Sequence, residues 1–417
     1  MSRPSRKTFR AGCEQLEERS LLSALSPAQM RHAYGMDAIN YSVSGQTIQG
    51  NGCGQTIAII VAEHNPYLAN ELTTFDATYG LANPVLKQVD LAGETTNEGW
   101  AQEEAMDVEW SHVMAPGASI MVVEAASSSA ADLMNAVNYA RQQPGVSVVS
   151  MSWGSAEFRG QQNYDQFFTT PAGHNGVTFI TASGDSGGRG GAQWPASSPN
   201  VVAVGGTSLQ VDAQGNILSQ KAWSGSGGGR SAIVPEPQYQ RRAQSTGRRT
   251  TPDISLDGDP SSGVPVYIVG PVFGLGYWLT LGGTSLSAQL FAGMVAVADQ
   301  GRALRGAGTL DGPGQTLPYL YAASSNDFVD ITVGSNGHRA TRGYDLVSGL
   351  GSPVGPTLVA DLVSGVSVPV VTGSTRSRLP RFRKAVVRRA EQALARSPVR
   401  VDHQVLARSI PGGTGWK

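Results

Sequence analysis

The chain has 417 residues, enough for one large core, with 52 glycines and only 15% charged residues, a balance that suits a loop-rich extracellular protein better than a helical cytosolic one. The net charge of −1 hides an uneven distribution: residues 376–417 carry 11 basic against 2 acidic residues, while residues 21–375 carry 15 against 27. Two cysteines, Cys13 and Cys53, exclude a disulfide framework, and no apolar run reaches the roughly 18 residues of a membrane-spanning helix.

Residues 1–25 begin basic, but "EQLEERS" interrupts them before a very short apolar run, so they are not a standard signal peptide. They resemble a leader found ahead of large exported proteins in some bacteria, and a secreted or cell-envelope location is expected. Next come short β-branched runs: "TIAIIVA" (56–62), "SIMVVEA" (119–125), "VSVVSMSW" (146–153) and "VTFITASG" (177–184). They read as buried strands. Between the second and third, "ADLMNAVNYARQQPG" sets Leu133, Val137 and Ala140 on one helical stripe before a Pro-Gly stop. Such alternation predicts an α/β fold, a mostly parallel central sheet with helices on both faces, and sites at the carboxyl ends of the strands. The strand-like "VPVYIVG" and "YWLTLGG" then lead into "GGTSLSAQ" (282–289) and a long apolar helix. One domain over 26–365 accounts for these elements. The tail, 366–417, places Phe382, Val386, Ala390 and Leu394 at four-residue spacing among arginines. It reads as a flexible basic segment or as one that contacts an anionic surface.

Ser285 opens that apolar helix after a glycine pair, which makes it either a helix cap or a nucleophile, and a nucleophilic serine needs a base. The histidines are poor candidates. His64 lies beside Pro66 in a loop, His112 stands near the end of a helix with no orienting carboxylate evident, and His32, His174, His338 and His403 have no supporting context. In "GWAQEEAMDVEWSH", Glu103 and Asp107 are four apart, so they share a helical face where one of them tends to keep a proton. Glu104 and Glu109 leave open a solvated acidic face, although Trp100 and Trp110 flank the helix. Asp185, in "ITASGDSGG", follows a strand directly in a glycine turn. A protonated aspartic acid there could donate to an oxyanion.

These motifs resemble the sedolisins, the serine-carboxyl peptidases, over about Leu25–Leu362. The residues that carry the likeness are "LSPAQMRHAYG", "EEAMDVEWSHVMAPGASI", "VVSMSWG", "SGDSG", "GGTSLSA", "WPASSPNVVAVGGTSL", "WSGSGGG" and "PDISLDGDP". The resemblance implies a subtilisin-like fold and an acid-acting endopeptidase that hydrolyses protein or peptide substrates through an acyl-enzyme, as a monomer by default. It assigns catalytic roles to Ser285, Glu103, Asp107 and Asp185, and substrate pairing to Ser152, Trp153 and Gly154. It also implies one structural Ca2+ held by Asp330 and Asp345 with the carbonyls of Ile331, Thr341 and Gly343.

Three departures stand out. The stretch before the catalytic domain is far shorter than the large prosegment usual in the family. Gln289 stands where proline commonly follows the serine motif, with an expected effect on helix entry alone. Val61 replaces an often acidic strand-end residue, which would remove a proton partner of the carboxylates. Two rivals remain: a proteolytically silent binding or envelope protein that keeps the fold, and a subtilisin-like enzyme using His112, although neither the Asp-Thr-Gly after the first strand nor the His-Gly-Thr of that family is present.

Overall fold

The computed structural model describes residues 24–366 apart from 92, 94 and 271–273. The leader-like segment up to residue 23 and the basic tail from residue 367 lie outside the described residues. The four β-branched runs form strands β1 (Thr56–Ala62), β3 (Ser119–Ala125), β4 (Val146–Met151) and β5 (Thr178–Ala182). They are joined by β2 (Leu86–Asp90), β6 (Val202–Val211), β7 (Ile217–Ala222) and β8 (Ile254–Asp257). The sheet order is β7-β6-β5-β4-β1-β3-β2, with β8 also paired to β6. All pairs are parallel except β6 with β7. The continuous apolar character of β1, β3 and β4 follows from burial on both faces.

Helix α1 (Leu68–Tyr79), α2 (Glu98–Met114) and α4 (Thr284–Leu304) pack together on one side, and α3 (Ala130–Ala140) packs against the central strands from the other. On α3 the expected stripe of Leu133, Val137 and Ala140 is fully buried. The runs before the serine motif form an antiparallel hairpin, β9 (Val264–Val269) with β10 (Gly276–Leu281), which stands apart from the main sheet against α1 and α2. Helix α4 is buried from Thr284 to Arg302, as expected of a helix that is apolar on every side.

Helix α2 departs from the simple sequence pattern. Glu103, Glu104, Asp107 and Glu109 are all buried, at most 3% exposed, so the solvated acidic face does not exist. The cause is packing: α1, α4, β1 and β9 all press on this helix.

Candidate active site

Helix α4 begins after Gly283, whose φ of +116° suits glycine. Asp185, in the turn after β5, holds that entry: its Oδ1 accepts from the Thr284 N–H (2.8 Å) and from Thr284 Oγ1 (2.7 Å). The Gly184 N–H donates to Thr284 Oγ1 at 3.0 Å. A Cβ on Gly283 would stand 2.7 Å from Asp185 Oδ2, so glycine there admits the carboxyl group. Asp185 and Ser285 are both 8% exposed. The N–H groups of the first helical turn lack intrahelical acceptors, which makes this end receptive to negative charge.

The carboxylates of α2 reach α4 through a short polar chain. Gln289 Nε2 donates to Ser152 Oγ (3.2 Å), and Ser152 Oγ donates to Asp107 Oδ1 (2.9 Å). Further along, Gly293 lies against Ser111 and Met114 of α2. The two helices therefore run in the same sense, with Gln289 level with Asp107. One turn back on each helix brings Ser285 level with Glu103. Burial, reinforced by the neighbouring charge of Glu103, pushes the Asp107 pKa well above the usual carboxylate range. In a site of this kind the contact between the serine hydroxyl and its carboxylate base is often long before substrate binds.

Of the substrate-pairing candidates, Ser152 commits its hydroxyl to Asp107, while Trp153 Nε1 donates to the Ile60 carbonyl at 3.1 Å. Gly154 adjoins Gln193 and Trp194. The segment's side chains are thus used internally.

Two histidines have partners that the sequence did not reveal. His112 Nε2 lies 3.3 Å from Asp76 Oδ1, both fully buried, without forming a hydrogen bond, so a carboxylate does stand beside it. However, His112 is nine residues beyond Glu103, about 13 Å along the helix, and level with Gly293 rather than Ser285. His64 is only 25% exposed and pairs with Glu124, not with solvent. Val61 pairs in register with Glu124, so the adjacent strand supplies a carboxylate where β1 does not. Glu104 neighbours Glu124, and burial together with that charge pushes its pKa well up. Gln289, expected to affect helix entry alone, instead hydrogen-bonds Ser152, a partner 137 residues away that no local pattern shows.

The proposed calcium ligands cluster in one loop region. Asp330 is exposed and accepts from the Gly343 N–H (3.0 Å), while Asp345 is 7% exposed and its Oδ2 accepts from the Thr341 N–H (2.7 Å). Asp345 Oδ1 accepts from the N–H groups of Val347 and Ser348. Both carboxylates thus converge on segment 341–343, and no donor among the described residues reaches the carbonyl oxygens of Ile331, Thr341 or Gly343. The all-oxygen set fits a hard divalent cation.

Residues 91–306 match the Subtilase family. Kumamolisin of Bacillus sp. (strain MN-32) is 33% identical over 357 residues, covering 76% of this chain and 61% of that protein. Sedolisin of Pseudomonas sp. (strain 101) is 27% identical over 340 residues, covering 71% of this chain and 56% of that protein. Tripeptidyl-peptidase 1 of Bos taurus is 27% identical over 377 residues, covering 82% and 64%. The chain therefore spans 56–64% of the length of these curated relatives. A solved Pseudomonas sedolisin, a serine-carboxyl proteinase complexed with two molecules of pseudo-iodotyrostatin, matches with TM-score 0.69 and 26% identity over 82% of this chain and 98% of that one. A lanthipeptide protease, at 14% identity and TM-score 0.51, shares the fold alone, over 84% of this chain and 97% of that one. Motifs, fold and relatives agree: this chain belongs to the subtilase family and, within it, to the sedolisins.

Proposed function

We propose that the chain is an acid-acting serine-carboxyl endopeptidase that hydrolyses protein or peptide substrates outside the cytoplasm. The observation that supports this reading is the polar chain from Asp107 through Ser152 to Gln289, which ties α2 to α4; one helical turn back on each lie Glu103 and Ser285. Ser285 Oγ attacks the peptide carbonyl carbon and its proton passes to Glu103. Glu103 then protonates the leaving amine, which departs to leave an acyl-enzyme on Ser285. Water hydrolyses the ester with Glu103 acting again as base. Asp107 orients Glu103 and shares a proton with it. Asp185, whose Oδ1 accepts from Thr284, carries a proton and donates it to the oxyanion beside the Ser285 N–H. The backbone of Ser152–Gly154 pairs with an extended substrate.

Asp330 and Asp345, with the carbonyls of Ile331, Thr341 and Gly343, would hold one Ca2+. When bound, the ion supplies positive charge that ties these loops together and takes no part in the chemistry. The acidic body supports use at low pH, since 27 acidic against 15 basic residues over 21–375 lose repulsion as carboxylates protonate.

The test is cleavage of an unfolded protein substrate from about pH 3 to 9, with Ser285→Ala as control. Activity peaking below about pH 5 and absent in the variant is expected. A maximum at about pH 8 or above would sink the carboxylate mechanism. No cleavage at any pH by folded protein would instead favour the silent reading.

A further inference from the structure

His64, Asp90 and Glu124 come from the carboxyl ends of three adjacent strands, β1, β2 and β3, and are brought together only by the sheet order. One potential donor atom from each lies within 4.8 Å of the other two. His64 Nδ1 is 3.0 Å from both Glu124 oxygens. Two ligands each about 2.1 Å from one ion, at angles between square and tetrahedral, stand about 3.0–3.4 Å apart, so this spacing suits joint coordination as well as an ion pair. Glu124 is fully buried and held in place: its Oε1 accepts from Gln88 Nε2 (2.6 Å) and from the Asn65 N–H (3.0 Å). Such outer partners orient a metal-binding carboxylate.

A second feature points the same way. Glu104 is 1% exposed, neither of its carboxylate oxygens accepts from a fixed N–H or O–H donor, and its carboxyl group lies within hydrogen-bonding reach of Glu124. No Lys or Arg forms an ion pair with Glu104 or Glu124 among the described residues. Two buried carboxyl groups in contact must share a proton or a cation, and with an imidazole at their edge a divalent ion can take the proton's place.

We propose that His64, Asp90 and Glu124 bind a divalent first-row transition ion of the zinc class, with water completing its shell. Its place in the fold gives it a task. The His64 N–H bonds the Thr95 carbonyl and the Leu91 N–H bonds the Glu124 carbonyl. The ion therefore lies where the ends of β1 and β3 bond to Leu91 and Thr95, beside the entry to α2, the helix bearing Glu103 and Asp107. The site is separate from the Asp330–Asp345 loop, and its existence does not depend on the peptidase reading.

The test is calorimetric titration of the full chain, stripped with chelator and dialysed, with zinc chloride near neutral pH, where imidazole can ligate. Asp90→Asn, at an exposed position, leaves the fold intact by circular dichroism, and His64→Ala is the second variant. Wild type is expected to take up one equivalent at this site, with affinity reduced at least about 100-fold in each variant, since even outer-shell partners are worth about 10–100-fold. Cobalt(II) should give a visible band that His64→Ala abolishes. No saturable zinc binding by wild type overturns the proposal, as does full binding by either variant. Loss of the zinc heat in Asp345→Asn alone would assign it to the other loop and also overturn it.

Discussion

Gln289 sits one helical turn beyond Ser285, and its amide ends the chain that reaches Asp107 through Ser152. A donor to a carboxylate favours its ionised form, so the Ser152 and Gln289 contacts lower the Asp107 pKa against the larger upward push of burial and Glu103. Gln289→Leu removes part of that restraint, and the Asp107–Glu103 pair should keep its shared proton to higher pH. The alkaline limb of kcat/KM is expected to move up by as much as about one pH unit, the equivalent of a hydrogen bond worth about 0.5–1.5 kcal/mol. A profile measured beside wild type decides it; an unmoved limb would mean that the glutamine only fills space.

At the scale of elements, the contact between α2 and α4 matters most, and Gly293 sets its closeness. A Cβ there would lie 2.4 Å from Met114 Cβ and 3.1 Å from the Ser111 carbonyl oxygen. Gly293→Ala must push the helices apart or bend one of them, with an expected cost of about 1–3 kcal/mol in stability. The same displacement disturbs the register of Glu103 and Ser285 two turns away. A kcat loss of about 10²-fold is expected even well below the melting temperature, because an error of about 1 Å in such a site can cost that much. Thermal melts and kcat on the same preparation separate the two effects. The C-terminal loops form a second element whose strength depends on charge: chelation of Ca2+ should lower the melting temperature of wild type and leave Asp345→Asn almost unmoved. A site filled at about 100 times its Kd contributes about 2.7 kcal/mol, so a chelation-insensitive wild type would argue against the ion.

Across the whole molecule, the buried acids make stability depend on pH. Burial raises the Glu71 pKa from 4.5 to about 7, and burial first, then nearby carboxylates, raises Asp107 and Glu109 well above normal. Each group binds its proton more tightly when folded, so its contribution is full below the unfolded pKa and is lost as pH rises through the folded one. For Glu71 alone that window runs from about pH 4.5 to about 7 and carries about 3 kcal/mol. The melting temperature is expected to be higher at about pH 4.5 than at about pH 8. Glu71→Gln should flatten part of that slope. A melting temperature that rises over this interval would contradict the protonated interior.

The sequence by itself determined the local features: β-branched runs became the strands of a parallel sheet, Leu133, Val137 and Ala140 became a buried stripe, and Ser285 opened a buried helix. The four-residue spacing of Glu103 and Asp107 likewise survived folding, because helical periodicity depends on nearest neighbours along the chain. Tertiary structure decided the rest. A carboxylate on a helix reads the same whether water or another helix lies against it, so the burial of Glu104 and Glu109 became known only once α1, α4 and β9 closed around α2. The His112–Asp76, Val61–Glu124 and Gln289–Ser152 pairings join residues 36 or more positions apart. Their chemistry depends on which strands and helices become neighbours, and no short stretch of sequence contains that information.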